Sequence, residues 1–155
     1  MIENRINQNQ REEHFQALMR MATLEPYYEW IYEKFEAYMG QYILDAGCGV
    51  GNFSALIERR ATKIWAADIV AENLLAAKER FHDSGNIEVV QVDFEKDKHF
   101  FNSKKIDTIV CLDVLEHIQY DLKLLDLFYA VLTDLILITA IICSNHLVHT
   151  IQGIE

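Results

Sequence analysis

"ILDAGCGVGNF", residues 43–53, decides how this chain is read. A short apolar run ends in Asp45, and three glycines follow at alternate positions, Gly47, Gly49 and Gly51. Glycine has no Cβ, so such a stretch allows φ angles and close approaches that other residues forbid. At a turn from strand to helix, it would present backbone N–H groups and a helix start to a ligand beyond the carboxyl edge of a sheet. Taken alone, that turn fits many nucleotide sites.

The flanking sequence supplies the sheet. "YILDA" (42–46), "KIWAADI" (63–69), "NIEVVQVD" (86–93), "KIDTIVCLDV" (105–114) and "LILITAII" (135–142) are short runs rich in apolar and β-branched residues. Between them lie helix-period segments: "FSALIERRA" (53–61), "AENLLAAKERFHDSG" (71–85) and "DLKLLDLFYAVL" (121–132). This alternation predicts βαβ units with a parallel sheet between helix layers. The fold class is therefore α/β, a Rossmann-like three-layer sandwich with a mainly parallel sheet of about five strands. Lys96 to Lys105 is polar and reads as a solvated connection. Upstream, residues 9–39 read as two helices, the second starting at Pro26 and stopping near Gly40. Its aromatic face (Tyr27, Tyr28, Trp30, Ile31, Tyr32, Phe35, Tyr38) either packs on the domain or forms a lid over a substrate site. The expected organisation is a helical segment over residues 1–40 capping a ligand-binding domain over 41–155.

Composition narrows the partners. The chain has 155 residues and a formal net charge of -10, which argues against nucleic acid or an anionic membrane as the main partner. The most apolar region, "LLDLFYAVLTDLILITAIIC" (124–143), is broken by Asp126 and Asp134, so no membrane span is expected. The polar start "MIENRINQNQREEHF" is not a signal peptide. Three cysteines without CxxC spacing, Cys48, Cys111 and Cys143, suit a reducing, cytoplasmic setting.

Acids cluster where the ligand is expected. The spacing from Asp45 to Gly51 is D-x-G-x-G-x-G; Asp68 ends the second strand, Asp93 the third and Asp113 the fourth. This ring of carboxylates would repel the pyrophosphate of a dinucleotide. S-adenosylmethionine carries a sulfonium, an ammonium and one carboxylate and is net cationic, so the sign of the field selects it. The loop N–H groups are expected to hold its carboxylate and the acids to hold the rest.

At this point the chain resembles a family. "ILDAGCGVGNF", "WAADIVAENL", "VVQVDFE" and "IDTIVCLDVLEHI" together resemble class I S-adenosylmethionine-dependent methyltransferases, over about Tyr27 to Ile138. The resemblance implies that Asp45 and Gly47 hold the methionine end, with Cys48, Gly49 and Gly51 completing the turn. It implies that Asp68, with Ile69 beside it, accepts from the ribose hydroxyls. Asp93 would accept from the adenine amino group, Phe94 would offer its backbone N–H and ring edge, and Leu112 and Asp113 would border the methionine. The implied reaction is methyl transfer to a small-molecule or glycan-linked acceptor, at oxygen. Rival readings are a non-catalytic cofactor-binding module and, with the spacing and the acids against it, a nicotinamide-dependent oxidoreductase.

Other residues carry less. His117 either takes a proton from an acceptor hydroxyl or merely fixes the turn after strand four with Glu116. Cys48 reads as a small residue in a tight turn. His146 and His149 lack a third metal ligand, and His14 reads as solvated. The family's last two strands form an antiparallel pair, and "CSNHLVHTIQGIE" (143–155) shows no clear counterpart. Strand five is thus expected as an exposed edge, open to a second copy or a partner chain, with the acceptor half of the fold incomplete.

Overall fold

The computed structural model describes residues 12, 13, 15, 16, 19, 25–118, 121–143 and 146–152; His14 lies outside them. The strands are β1 (Tyr42–Ala46), β2 (Lys63–Asp68), β3 (Ile87–Gln91), β4 (Ile106–Leu112), β5 (Leu132–Cys143) and β6 (His146–Gln152). Among the described residues, α-helices run over α1 (Glu25–Phe35), α2 (Asn52–Ile57), α3 (Ala71–Arg80) and α4 (Asp121–Val131); residues 12, 13, 15, 16 and 19 are also helical, and the rest of the first helix expected over 9–39 lies outside the described residues. The sheet order is β3-β2-β1-β4-β5-β6. β1 to β5 pair in parallel, and β6 runs antiparallel to β5.

Both faces of β1, β2 and β4 are covered, which explains their near-continuous apolar runs. Side chains alternate across a strand, so Ile43, Ile64, Ala66 and Val110 enter one core while Leu44, Trp65, Ala67 and Cys111 enter the other. The first core is closed by Ile31 and Phe35 of α1, Phe53 and Ile57 of α2, and Leu74 and Ala77 of α3. The second is closed by Leu124 and Phe128 of α4, with Phe94 and Phe101. Three layers result, as expected.

Differences from the sequence reading have local causes. α1 stops at Phe35, and a 3-10 turn (Glu36–Tyr38) continues toward Gly40. Arg60 Nη2 donates to the carbonyls of Glu36 (2.6 Å) and Met39 (2.8 Å), which replaces further helix bonds. The connection from Lys96 to Lys105 is not merely solvated. It contains a 3-10 turn (Lys98–Phe101), and Phe100 and Phe101 join an aromatic cluster with Phe94 and Phe128. The tail after β5, expected without a strand, supplies β6 in register from Leu137↔Gln152 to Cys143↔His146. Pairing satisfies the row of N–H and C=O groups that β5 would otherwise expose, so β5 is not an edge.

The order places β2 on one side of β1 and β4 on the other, so the chain direction across the sheet reverses between β1 and β4. In open α/β sheets, ligands bind in the crevice outside the carboxyl ends of the strands at such a switch point.

Candidate functional site

The glycine loop leaves β1 at that switch point. Gly47, Gly49 and Gly51 have φ of 82°, 56° and 81°. Two of them also leave no room for a side chain. A Cβ on Gly47 would stand 2.1 Å from Val114 Cγ2, and one on Gly51 2.4 Å from Phe81 Cε2. The glycines therefore serve conformation and close packing together.

The loop is not an open nest of N–H donors, and here the sequence expectation is corrected. Gly47 N and Cys48 N both donate to Ala67 O (2.8 and 2.9 Å), Gly51 N to Cys48 O (2.9 Å), and Gly49 N to Asp68 Oδ2 (2.8 Å). Internal acceptors take these hydrogens because the turn must close on β2 as it leaves β1.

The acids differ sharply in setting. Asp45 is buried beneath the loop (3 % exposed) and accepts from Ser54 Oγ at 2.6 Å. Burial pushes its carboxyl up to about 6, Asp68 adds to the rise, and the Ser54 hydrogen bond opposes it. Asp68 is also buried, with Oδ2 on Gly49 N and Oδ1 accepting from Val70 N at 2.8 Å. Asp93 is more open. Partial burial acts to raise its carboxyl, but the Lys96 ammonium and the backbone N–H groups of Glu95 and Lys96 outweigh it and hold it below the usual range. Asp113 has φ of 54° and accepts from Tyr27 Oη at 3.4 Å.

Other predicted residues fall as follows. Ile69 is 43 % exposed and lines a cleft of about 360 Å³ with Gln91, Asp93, Lys96 and Asp97. The ring of Phe94 is buried, 5.9 Å from Phe101 and 5.4 Å from Phe128 between centroids, so the core takes the ring edge expected to face a ligand. Leu112 is half-buried at the end of β4. Cys48 is buried, and burial pushes its thiol well up, with Asp45 and Asp68 adding to the rise. His117 is exposed on a 3-10 turn (Leu115–His117), where its N–H donates to Val114 O at 2.9 Å. Among the described residues, no three or more of His, Cys, Asp and Glu gather as a metal site. No helix among them is long and apolar enough to cross a membrane.

Sequence reasoning missed Ser54, Gln91, Lys96 and Val114. Ser54, Gln91 and Val114 join the loop or the cleft only through contact in space, whereas Lys96 follows Asp93 by three residues and pairs with it. Tyr27 and Tyr28 were seen as an aromatic face, without a target for their hydroxyls.

Comparison with known proteins adds three findings. Residues 44–134 match the family described as Methyltransferase domain. The ubiquinone biosynthesis O-methyltransferase of Actinobacillus pleuropneumoniae serotype 5b (strain L20) is 28 % identical over 101 residues, covering 63 % of this chain and 43 % of that protein. Two solved structures share the fold. One is an S-adenosylmethionine-dependent methyltransferase from Clostridium acetobutylicum ATCC 824, with TM-score 0.59, 25 % identity, and coverage of 74 % of this chain and 48 % of that one. The other is the N-terminal domain of EvdMO1 with SAH bound, with TM-score 0.63, 23 % identity, and coverage of 73 % and 48 %. The chain spans less than half the length of each of these relatives.

Proposed function

This chain belongs to the methyltransferase-domain family, and from that premise we propose that it binds S-adenosylmethionine at the carboxyl edge of its sheet and methylates an oxygen of a small-molecule or glycan-linked acceptor. The observation that carries the reading is the convergence of the glycine loop, Asp68, Asp93 and Asp113 on the edge around the β1/β4 switch point, within the stretch that the family matches. The residues fit the donor: three left-handed glycines turn the backbone tightly at the sheet edge, and the acids around it suit a net-positive ligand.

In this reading Asp68 accepts from the ribose hydroxyls. Each of its oxygens accepts one backbone N–H and keeps a second lone pair for a ligand. Asp93 accepts from the adenine amino group, the Phe94 backbone N–H meets the ring nitrogens, and Ile69 gives the base an apolar surface. Leu112 and Asp113 border the methionine end over Gly47, Cys48, Gly49 and Gly51. Asp45 adds negative charge from beneath. α1 caps the domain that carries the glycine loop and the strand-end acids. When bound, S-adenosylmethionine supplies an electrophilic methyl carbon on a sulfonium centre. His117 takes the proton from the acceptor hydroxyl, and the rest of the chain's contribution is to hold donor and acceptor in line.

The test is a thermal-shift series with S-adenosylmethionine, S-adenosylhomocysteine and NAD. A ligand at a hundred times its dissociation constant adds about 2.7 kcal/mol of stability. A clear rise in melting temperature is expected with the first two ligands and none with NAD; a rise with NAD alone overturns the proposal. Methyl release into candidate phenols and sugar hydroxyls then reads turnover separately from binding.

A further inference from the structure

We propose that Tyr27 and Tyr28 of α1 form a strap across the switch-point crevice, holding its two walls at the spacing the methyl donor needs. This inference rests on the function proposed above and adds positioning residues outside the glycine loop. Tyr27 Oη donates to Asp113 Oδ2 at 3.4 Å, just beyond β4. Tyr28 reaches the other wall. Its hydroxyl hydrogen-bonds with the Asn52 side chain, and its ring lies 6.4 Å from that of Phe53, both residues opening α2 directly after the loop. Asn52 is itself fixed, because Arg80 Nη1 donates to its Oδ1 at 2.9 Å. The two tyrosine rings meet edge-on with centroids 5.1 Å apart, so the two contacts are mechanically joined.

The Tyr27 contact reaches the loop through one residue. Asp113 has φ of 54°, a left-handed conformation that aspartate adopts more readily than most side chains and that turns the chain away from β4. Val114 follows, with Cγ2 just 2.1 Å from where a Cβ on Gly47 would stand. The tip of β4 thus lies against the glycine loop, with Val114 filling the space that a side chain on Gly47 would need. The opposite end of α1 is held in the core. Ile31 and Phe35 are 0 % and 2 % exposed, and Arg60 clamps the carbonyls of Glu36 and Met39. α1 is therefore a beam anchored in the core at one end and gripping both crevice walls at the other.

The test is calorimetric titration of the full chain with S-adenosylhomocysteine, alongside melting curves without ligand. Tyr27→Phe keeps the ring and removes the hydroxyl. It is expected to weaken binding about five- to tenfold while leaving the ligand-free melting temperature within about 2 °C. Asp113→Gly removes the carboxylate and tolerates the backbone angle, and adding Tyr27→Phe to it should weaken binding no further. Tyr28→Phe cuts the link to Asn52 and is expected to weaken binding similarly, so the strap stays testable if one variant folds poorly. Wild-type affinity in both phenylalanine variants, or additive losses in the Tyr27/Asp113 pair, overturns the strap alone. A wild-type chain that binds no S-adenosylhomocysteine overturns the strap and the proposed function together.

Discussion

Asp45 shows how much one buried atom group shapes the site. Its carboxyl holds a proton up to about pH 6 in the fold, against 3.8 in the ordinary state. Folding therefore takes up a proton between those values, and the stability this group contributes is full below about 4 and lost as pH rises through 6. At about 1.4 kcal/mol per unit, the cost at neutral pH is on the order of 3 kcal/mol. Asp45→Asn keeps an acceptor for Ser54 Oγ and removes the charge. The variant should match the wild type in melting temperature near pH 4 and exceed it by several degrees at pH 7.5. Equal offsets at the two pH values would show that burial does not strain the carboxylate. The acids at strand ends were legible in the sequence because a carboxylate closing an apolar run has few other uses. Which acid is buried was not legible, since burial of Asp45 depends on Ser54 and on a loop folding over it.

At the scale of elements, the carboxyl edge builds the site and the amino edge holds the sheet together. Asp107 is buried at the start of β4, where its carboxylate accepts from Gln41 N (2.9 Å) and Tyr42 N (3.1 Å). Thr108 Oγ1 accepts from Gly40 N at 2.8 Å. These bonds tie the exit of α1 to the entry of β1 and β4. Asp107→Ala removes the shared acceptor of the partly buried Gln41 and Tyr42 N–H groups and should cost about 1 kcal/mol, seen as a lower urea midpoint. Affinity for S-adenosylhomocysteine should not change, because Asp107 lies about 20 Å along β4 from Asp113. A tenfold loss of affinity would mean that this joint reaches the site after all. Strands one to five were readable because their apolar runs are bounded by turns and acids. β6 was not, because "HLVHTIQ" lacks the uniform apolar pattern of a central strand, and its assignment depends on having β5 as a neighbour. The ends of α1, α2 and α3 were misjudged for a related reason. Distant side chains such as Arg60 terminate α1, and periodicity within a helix does not see them.

Over the whole molecule, the net charge of -10 works against compaction while it favours a cationic ligand. Raising ionic strength from 0.01 to 0.1 M shortens the screening length from about 30 to about 10 Å. The ligand-free melting temperature should rise by a few degrees over that range, and affinity for S-adenosylmethionine should fall. A falling melting temperature would mean that surface pairs such as Lys63–Glu88 outweigh the general repulsion. The layered arrangement has one further consequence. Cys48 belongs to the core under α1, α2 and α3, whereas Cys111 belongs to the core under α4, and both are buried. Alkylation of either sulfur must wait for its own side of the sheet to open. Peptide mapping of the two labels over time would therefore report, from native residues alone, whether the two halves of the sandwich breathe independently or come apart in a single event.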